Sequence, residues 1–206
     1  MMNDIRGRFI SFEGIDGAGK STQHQWLVEH LKAQGREVVA TREPGGTPLG
    51  EKLRAVLLAE TMQLDTEALL MFAARREHVE LVIRPALARG AWVVCDRFVD
   101  ASMAYQGGGR GLSPTRLREL AKWTLGDLQP DLTLLFDLPV EIALTRLRAA
   151  TQNPDRFERE QAEFFERVRA TYLDIAAAEP NRVRVIDARL SLLEIQVILE
   201  NIIASY

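Results

Sequence analysis

The sequence predicts an α/β fold in which a parallel β-sheet is covered by helices. Two observations support this: short β-rich runs alternate with longer helical patterns, and the β-rich runs are almost continuously apolar. Strands buried on both faces look like this, and strand–helix alternation is typical of parallel sheets. With 206 residues, 47% of them hydrophobic, the chain can bury one substantial core. We therefore expect a single domain over residues 1–206.

The pattern contains five strand candidates and seven helix candidates. The strands are predicted at 8–14, 36–43, 91–97, 131–138 and 182–188. The helices are predicted at 21–34, 48–59, 66–89, 114–126, 140–149, 159–178 and 192–204. Gly35 and Gly90 stand where a helix should end before the next strand. Ligands of such sheets bind beyond the carboxyl ends of the strands, so the residues that follow each strand are the functional candidates.

Composition excludes several classes of protein. A net charge of −3 gives no basic field that would attract nucleic acid or an anionic membrane. The single Cys95 excludes an internal disulfide and a cysteine-based zinc site, and it fits a reducing compartment. The sequence contains no run of ~18 apolar residues and no signal-peptide pattern at its start. We expect a cytoplasmic protein.

The clearest motif follows the first predicted strand. It satisfies G-x-x-x-x-G-K-[ST] at every fixed position. Its residues are Gly14, Ile15, Asp16, Gly17, Ala18, Gly19, Lys20 and Ser21, with Thr22 next in the chain. The glycines let backbone N–H groups turn toward an anion, and the start of the following helix adds its positive dipole end. Lys20 would reach the β- and γ-phosphates of a nucleotide, and Ser21 would offer its hydroxyl to Mg²⁺.

Two carboxylates compete for the metal's hydration shell. Asp96 follows the third predicted strand and precedes Arg97, whereas Asp137 ends the fourth and precedes Leu138-Pro139. Asp137 could equally cap the next helix, so both candidates stay open.

A phosphate site does not by itself distinguish a hydrolase from a transferase. The Asn-Lys-x-Asp element of a regulatory GTPase is absent from the sequence. A kinase needs arginines for its acceptor, and the candidates are Arg42, Arg54, Arg97 and Arg110. It also needs a closing flap that excludes water, and the polar segment 146–159 has that character, with arginines at Arg146, Arg148, Arg156 and Arg159. A P-loop GTPase or ATPase switch remains the alternative from another class.

Seven blocks of sequence point to one family. They are FEGIDGAGKST, TREPGGTPLGE, RPALARG, VVCDRFVDASMAYQGGGRG, DLTLLFDLP, DRFE and VIDA. Through them the chain resembles bacterial thymidylate kinases over essentially its whole length. The resemblance implies a three-layer P-loop kinase fold with a five-stranded parallel sheet and a lid near 146–159. It also implies Mg²⁺-dependent transfer of the ATP γ-phosphate to thymidine 5′-monophosphate (dTMP), giving dTDP for dTTP synthesis, and a homodimer. A kinase for another nucleotide or nucleoside is the nearest alternative.

The resemblance also assigns residues to the two substrates. It implies that Lys20, Asp16, Arg97 and a lid arginine are catalytic, and that Arg97 bridges the acceptor phosphate and the incoming γ-phosphate. Because Gly17 stands where some relatives have an arginine, Arg156 is our first choice for the lid cation and Arg148 the second. ATP would contact the 14–22 loop together with Arg146 and Arg148, and Ser21 and, through water, Asp96 would hold the metal.

The acceptor pocket is assigned in the same way. It is expected to comprise Glu43, Pro44, Arg54, Phe72, Arg75, Arg97, Ser102, Tyr105 and Gln106. Phe72 would stack on thymine, and Arg75, favoured over Arg76, would contact a thymine carbonyl. Ser102 and Gln106 stand four residues apart and could address the edge of the base together. His24, His30 and His78 are expected to have surface or helix-packing roles.

Overall fold

The computed structural model describes residues 6–150 and 158–206, and its centre is a five-stranded parallel sheet in the order β2-β3-β1-β4-β5. The strands are β1 (Phe9–Glu13), β2 (Val38–Arg42), β3 (Trp92–Asp96), β4 (Leu132–Asp137) and β5 (Val183–Asp187). All five lie inside the predicted ranges, so the α/β prediction and the position of every strand are confirmed.

Side chains from alternate strand positions enter two separate cores, one on each side of the sheet. In β1, Phe9 packs into one core, and Ile10 and Phe12 pack into the other. Val93 and Val94 of β3 divide in the same way. This explains why the strands are apolar at nearly every position: both faces are covered by helices.

The seven predicted helices match the structure closely, with one exception. They are α1 (Lys20–Ala33), α2 (Pro48–Ala59), α3 (Leu64–His78), α4 (Arg84–Ala88), α5 (Val99–Ser102), α6 (Pro114–Leu125), α7 (Val140–Ala150), α8 (Glu158–Ala178) and α9 (Leu192–Ile203). The helix predicted at 66–89 is divided, because a π-helical segment (Val79–Ile83) separates α3 from α4. Pro85 lies in the first turn of α4 and cannot donate to the preceding turn, which accounts for the wider winding.

The sequence patterns did not predict the helical stretch after β3, which consists of α5 and a second π-helical segment (Met103–Gly109). Three consecutive glycines make this stretch a poor helix former. Close packing explains their presence, since a Cβ atom added at Gly108 would lie 1.9 Å from Oγ1 of Thr171 on α8. Only glycine lets the two elements approach this closely.

The strand order also determines where a ligand can bind. β1 lies between β3 and β4, so the chain leaves β1 and crosses β3 before it enters the sheet again at β2. A crevice opens beyond the carboxyl ends of the strands at such a point. Within the described residues, no helix is long and apolar enough to cross a bilayer.

Candidate active site

The loop between β1 and α1 has the geometry of an anion cradle. Gly14, Gly17 and Gly19 all have positive φ angles, of 132°, 83° and 80°. The Lys20 ammonium folds back and donates to the carbonyl oxygens of Gly14 and Ile15, each at 2.9 Å. Burial and the positive charge of Arg97 lower the pKa of Lys20 to about 7.

A cavity of about 320 Å³ lies over this loop, and we call it the loop cavity. Its walls include Asp16, Gly17, Gly19, Lys20, Ser21, Thr22, Asp96, Arg97 and Arg146. Arg146 reaches it from α7 and donates to the carbonyl oxygens of Gly17 and Ala188, at 3.4 and 3.2 Å. Ile15 and Ala18 are instead buried in the core below the loop. Arg148 is exposed on α7 and is not part of this wall, and Arg156 lies outside the described residues.

The structure also gives a steric reason for Gly17. A Cβ atom added there would lie 2.7 Å from the carbonyl oxygen of Ala143 on α7. Any larger side chain would therefore collide with the α7 backbone or displace the loop. The sequence suggested only that an arginine is missing at this position.

A second cavity, of about 380 Å³, adjoins the first, and we call it the arginine cavity. Its charged walls are Asp16, Arg42, Glu43, Arg54, Glu67, Asp96, Arg97 and Arg110. Pro44, Met71, Tyr105 and Gln106 are among the remaining residues of its wall. Asp16, Asp96 and Arg97 belong to both cavities, so these three residues form the boundary between them.

Arg97 is held tightly at this boundary. Its Nη2 atom donates to Asp16 Oδ1 at 2.6 Å and to the Tyr105 hydroxyl at 2.9 Å, and Nη1 donates to Tyr172 at 3.3 Å. Although burial alone would raise the pKa of Asp16, the charges of Arg97 and Lys20 lower it below its ordinary value. Arg97 is also the one non-glycine residue with a positive φ angle, 71°, in the described part of the chain. Such strain persists only where surrounding contacts impose it, and it is frequent at active sites.

Glu13 makes contacts that help to hold the backbone and the side chain of Arg97, and the sequence indicated no specific role for it. It is fully buried and accepts from the backbone N–H of Phe98 at 2.7 Å and from the Tyr172 hydroxyl at 2.8 Å. Burial and the nearby Asp100 carboxylate raise the pKa of Glu13 to about 7. Tyr172 lies on α8, far away in sequence, and no local pattern could have predicted its contact with Arg97.

The two carboxylates proposed for the hydration shell of the metal, Asp96 and Asp137, have different surroundings. Asp137 is engaged by Arg169 through two hydrogen bonds, at 2.7 and 2.9 Å. Asp96 lies beside the loop, and its Oδ1 atom is buried with no hydrogen-bond partner within the described residues. An unpartnered buried carboxylate oxygen near a serine hydroxyl fits the hydration shell of a magnesium ion.

Part of the predicted base pocket is buried and does not line the arginine cavity. Arg75 is buried and donates to Glu43 at 2.6 Å and to Ser102 at 3.0 Å, whereas Arg76 is exposed and pairs with Glu80. The two arginines thus lie in different surroundings, and Arg75, which the sequence favours, is the buried one.

Phe72, which is expected to stack on the base, lies in a buried position. Its ring is only 1% exposed and packs in the core, with the Arg75 guanidinium 4.7 Å from its centroid. The preceding residue, Met71, lines the arginine cavity instead. In an α-helix consecutive residues point about 100° apart, so an apolar pair in sequence does not show which member faces the ligand.

Gln106 and Arg110 share one partner that the sequence did not indicate. Glu67 of α3 accepts from Gln106 Nε2 at 2.8 Å and from Arg110 at 2.6 Å. Gln106 Oε1 is buried and has no hydrogen-bond partner among the described residues, and Arg54 donates to the Pro44 carbonyl at 3.0 Å. Tyr105 accepts from Arg97, and Ser102 is completely buried.

A phosphate-binding loop after β1, joined to a second arginine-rich cavity, defines a phosphotransferase of the P-loop class. Residues 12–198 match the family model described as Thymidylate kinase. The thymidylate kinase of Cupriavidus metallidurans is 62% identical over 98% of this chain and 100% of its own length. That of Methylobacillus flagellatus is 63% identical over 89% of this chain and 90% of its own. The crystal structure of a thymidylate kinase from Ehrlichia chaffeensis superposes with a TM-score of 0.78 at 34% identity, over 96% of this chain and 99% of that one. The chain belongs to the thymidylate kinase family.

Proposed function

We propose that the loop cavity is the ATP site and the arginine cavity the dTMP site of this enzyme, with Arg97 acting on both substrates. The activity itself follows from the family: the chain is an ATP-dependent nucleoside monophosphate kinase that phosphorylates dTMP to dTDP. The observation that carries the assignment is the shared boundary of the two cavities, formed by Asp16, Asp96 and Arg97. A phosphoryl group transferred between the cavities would have to pass this boundary.

On the ATP side, the proposed roles follow from charge and position. Lys20 and the inward-facing loop backbone would bind the phosphates, and Arg146 would contact the nucleotide from α7. Mg²⁺ would be held by Ser21 and, through water, by Asp96. When bound, the ion neutralises charge on the phosphates. Among the described residues no cluster of three or more His, Cys, Asp or Glu side chains could hold a metal alone, which agrees with an ion bound mainly by phosphate and water.

Arg97 would overcome the chief obstacle to the reaction, the repulsion between two anions. Its guanidinium points to the boundary of the cavities and is oriented by Asp16, Tyr105 and, through the backbone of Phe98, by Glu13. A cation fixed before the reaction begins stabilises the transition state without a cost of reorganisation. Asp16 would give up part of its contact with Arg97 when phosphate enters.

The remaining wall of the arginine cavity, together with buried residues behind it, would bind the acceptor nucleoside. Gln106 in the wall and the buried Arg75 each have one buried polar atom without a partner among the described residues, Oε1 and Nη1, which suits the N–H and carbonyl edge of a pyrimidine. Ser102 would orient Arg75, and Tyr105 would crowd the sugar 2′ position. Glu43, Pro44 and Arg54 would form the opposite wall. Phe72 would support the Arg75 guanidinium, which lies over its ring.

The assignment can be tested by measuring ADP formation with and without dTMP. We expect acceptor-dependent turnover in the parent protein, and in Arg97→Ala a kcat lowered by about 10³-fold with little change in the KM for ATP. Arg89→Ala is a matched control, since Arg89 is exposed and forms a surface ion pair with Glu37. Hydrolysis of ATP that is independent of dTMP, or near-normal turnover by Arg97→Ala, would contradict the proposal.

We further propose a cytoplasmic homodimer. Leu69 on α3 and Trp123 on α6 are 53% and 78% exposed and line one apolar recess of about 500 Å³. Exposed apolar patches of this kind are typical of protein interfaces. Light scattering should give a dimer for the parent and a monomer for Trp123→Glu. Cys95 is buried and free, in agreement with a reducing compartment.

A further inference from the structure

His78 is completely buried at the end of α3, and both of its ring nitrogens have partners. Nδ1 lies 2.9 Å from Glu43 Oε1, and Nε2 lies 2.7 Å from the Thr41 hydroxyl. Because a carboxylate oxygen can only accept, Nδ1 carries the proton in this arrangement. Nε2 of the neutral ring then accepts from Thr41. One tautomer therefore satisfies both contacts.

The second oxygen of Glu43 continues the chain of contacts toward the arginine cavity. Oε2 accepts from Arg75 Nε at 2.6 Å, and both side chains are almost completely buried. Arg75 Nη2 donates to the carbonyl oxygen of Phe98 at 3.1 Å and to Ser102 at 3.0 Å. These contacts fix the plane of the guanidinium. In the described part of the chain they leave Nη1 as its one buried nitrogen without a partner.

His78 also supports the loop that carries Glu43. A Cβ atom added at Gly46, which has a φ angle of 80°, would lie 2.5 Å from Cδ2 of the His78 ring. The loop after β2 therefore rests directly on the imidazole. An apolar side chain could fill the same space, but it would leave Glu43 Oε1 buried without its donor. Such a loss is costly for a charged group.

We propose that His78 is a positioning residue for the acceptor nucleotide. It holds Glu43, and Glu43 in turn orients Arg75 so that Nη1 is directed for contact with the base. The inference rests on the proposed role of Arg75 in dTMP binding. His78 itself does not touch the substrate, and its effect is expected on acceptor affinity and base selectivity.

A pair of nearly isosteric substitutions tests this role. His78→Asn keeps an N–H donor close to the position of Nδ1, whereas His78→Leu has a similar shape and no donor. We expect His78→Leu to raise the KM and Kd for dTMP about 10-fold or more, and to narrow the preference for dTMP over dCMP. Its kcat and its KM for ATP should stay within about threefold of the parent values, and His78→Asn should recover most of the dTMP affinity. Calorimetric titration with dTMP alone measures the Kd without turnover.

Two further variants show whether a negative result concerns the proposed role of Arg75 or that of His78. Arg75→Met should weaken dTMP binding at least as much as His78→Leu; if it does not, the proposed role of Arg75 fails. If Arg75→Met weakens binding and His78→Leu does not, the positioning role of His78 is overturned. A general loss of folded protein in His78→Leu would lower kcat and leave both KM values unchanged, which would also contradict the proposal. His30→Leu, at a half-buried position on α1, controls for the loss of an imidazole elsewhere.

Discussion

The loop cavity and the arginine cavity lie side by side, yet they are built in different ways. The loop cavity is formed mainly by consecutive residues, 14–22, and depends on backbone conformation. The arginine cavity is formed by side chains from five separate stretches of the chain, which are held by ion pairs such as Arg75–Glu43 and Arg110–Glu67. The first should therefore be sensitive to changes in backbone shape, and the second to changes in charge pairing.

The difference also bears on the proposal that Arg97 acts on both substrates. It follows β3, at the point where the strand order reverses, and its backbone is held in a strained conformation by Glu13. Its guanidinium is held by Asp16 from the loop and by Tyr105 from the arginine cavity. Arg97 is thus fixed both by a residue of the phosphate loop and by a side chain of the arginine cavity.

Among the variants that test this comparison of the two cavities, Gly14→Ala should have the largest effect, because it tests the dependence of the loop cavity on backbone shape. Gly14 has a φ angle of 132°, and an added Cβ atom would lie 2.4 Å from the Phe136 carbonyl oxygen. We expect kcat/KM for ATP to fall about 100-fold and the free energy of unfolding to fall by about 3 kcal/mol. Steady-state kinetics and chemical denaturation measure the two quantities.

Gly19→Ala is the matched control for that experiment. Gly19 also has a positive φ angle, 80°, but an added Cβ atom would meet none of the described residues within 4 Å. Because Gly19 lines the loop cavity, the two variants are compared in stability alone, and the loss in the free energy of unfolding for Gly19→Ala should be limited to the backbone strain of about 1–2 kcal/mol. An equal loss of stability in the two variants would mean that the contact with Phe136 is unimportant and that the comparison of the two cavities is wrong.

A change of pH should have an intermediate effect on the affinity for ATP, because it changes the charge of Lys20. In the free protein burial and Arg97 lower the pKa of Lys20 to about 7, so the ammonium loses its proton as the pH rises above this value. The phosphates of ATP favour the charged form and raise the pKa again. Binding at pH 8 should therefore take up roughly 0.9 of a proton, and affinity should fall by up to about tenfold per pH unit above 7.

Calorimetric titration with ATP in buffers of different ionisation enthalpy measures this uptake directly. At pH 8 the ATP phosphates are fully ionised, so the proton is taken up by the protein. Lys20→Met should abolish the uptake and weaken binding. No uptake in the parent at pH 8 would contradict the depressed pKa of Lys20.

The sequence predicted the loop cavity better than the arginine cavity, and the reason is physical. The phosphate loop is a local structure whose glycines and lysine are adjacent in the chain, and the strands are apolar on both faces wherever they are covered. Contacts such as Tyr172 with Arg97, or Glu67 with Gln106, join residues that only the completed fold brings together. The π-helical turns at Val79–Ile83 and Met103–Gly109 were also missed, because they depend on packing and on a proline rather than on apolar spacing.

The smallest effect is expected from the proposed base wall. Met71 lines the arginine cavity, and Phe72 is buried in the core beneath Arg75. We expect Met71→Ala to raise the KM for dTMP about fivefold, because a thioether is removed from the wall of the proposed acceptor cavity while the core is left intact. Phe72→Leu should mainly lower the free energy of unfolding, by about 1–2 kcal/mol. Steady-state kinetics measure the KM for dTMP of both variants, and chemical denaturation measures their free energies of unfolding. A raised KM for dTMP in Phe72→Leu, with Met71→Ala silent, would mean that the pocket opens to the buried ring when dTMP binds.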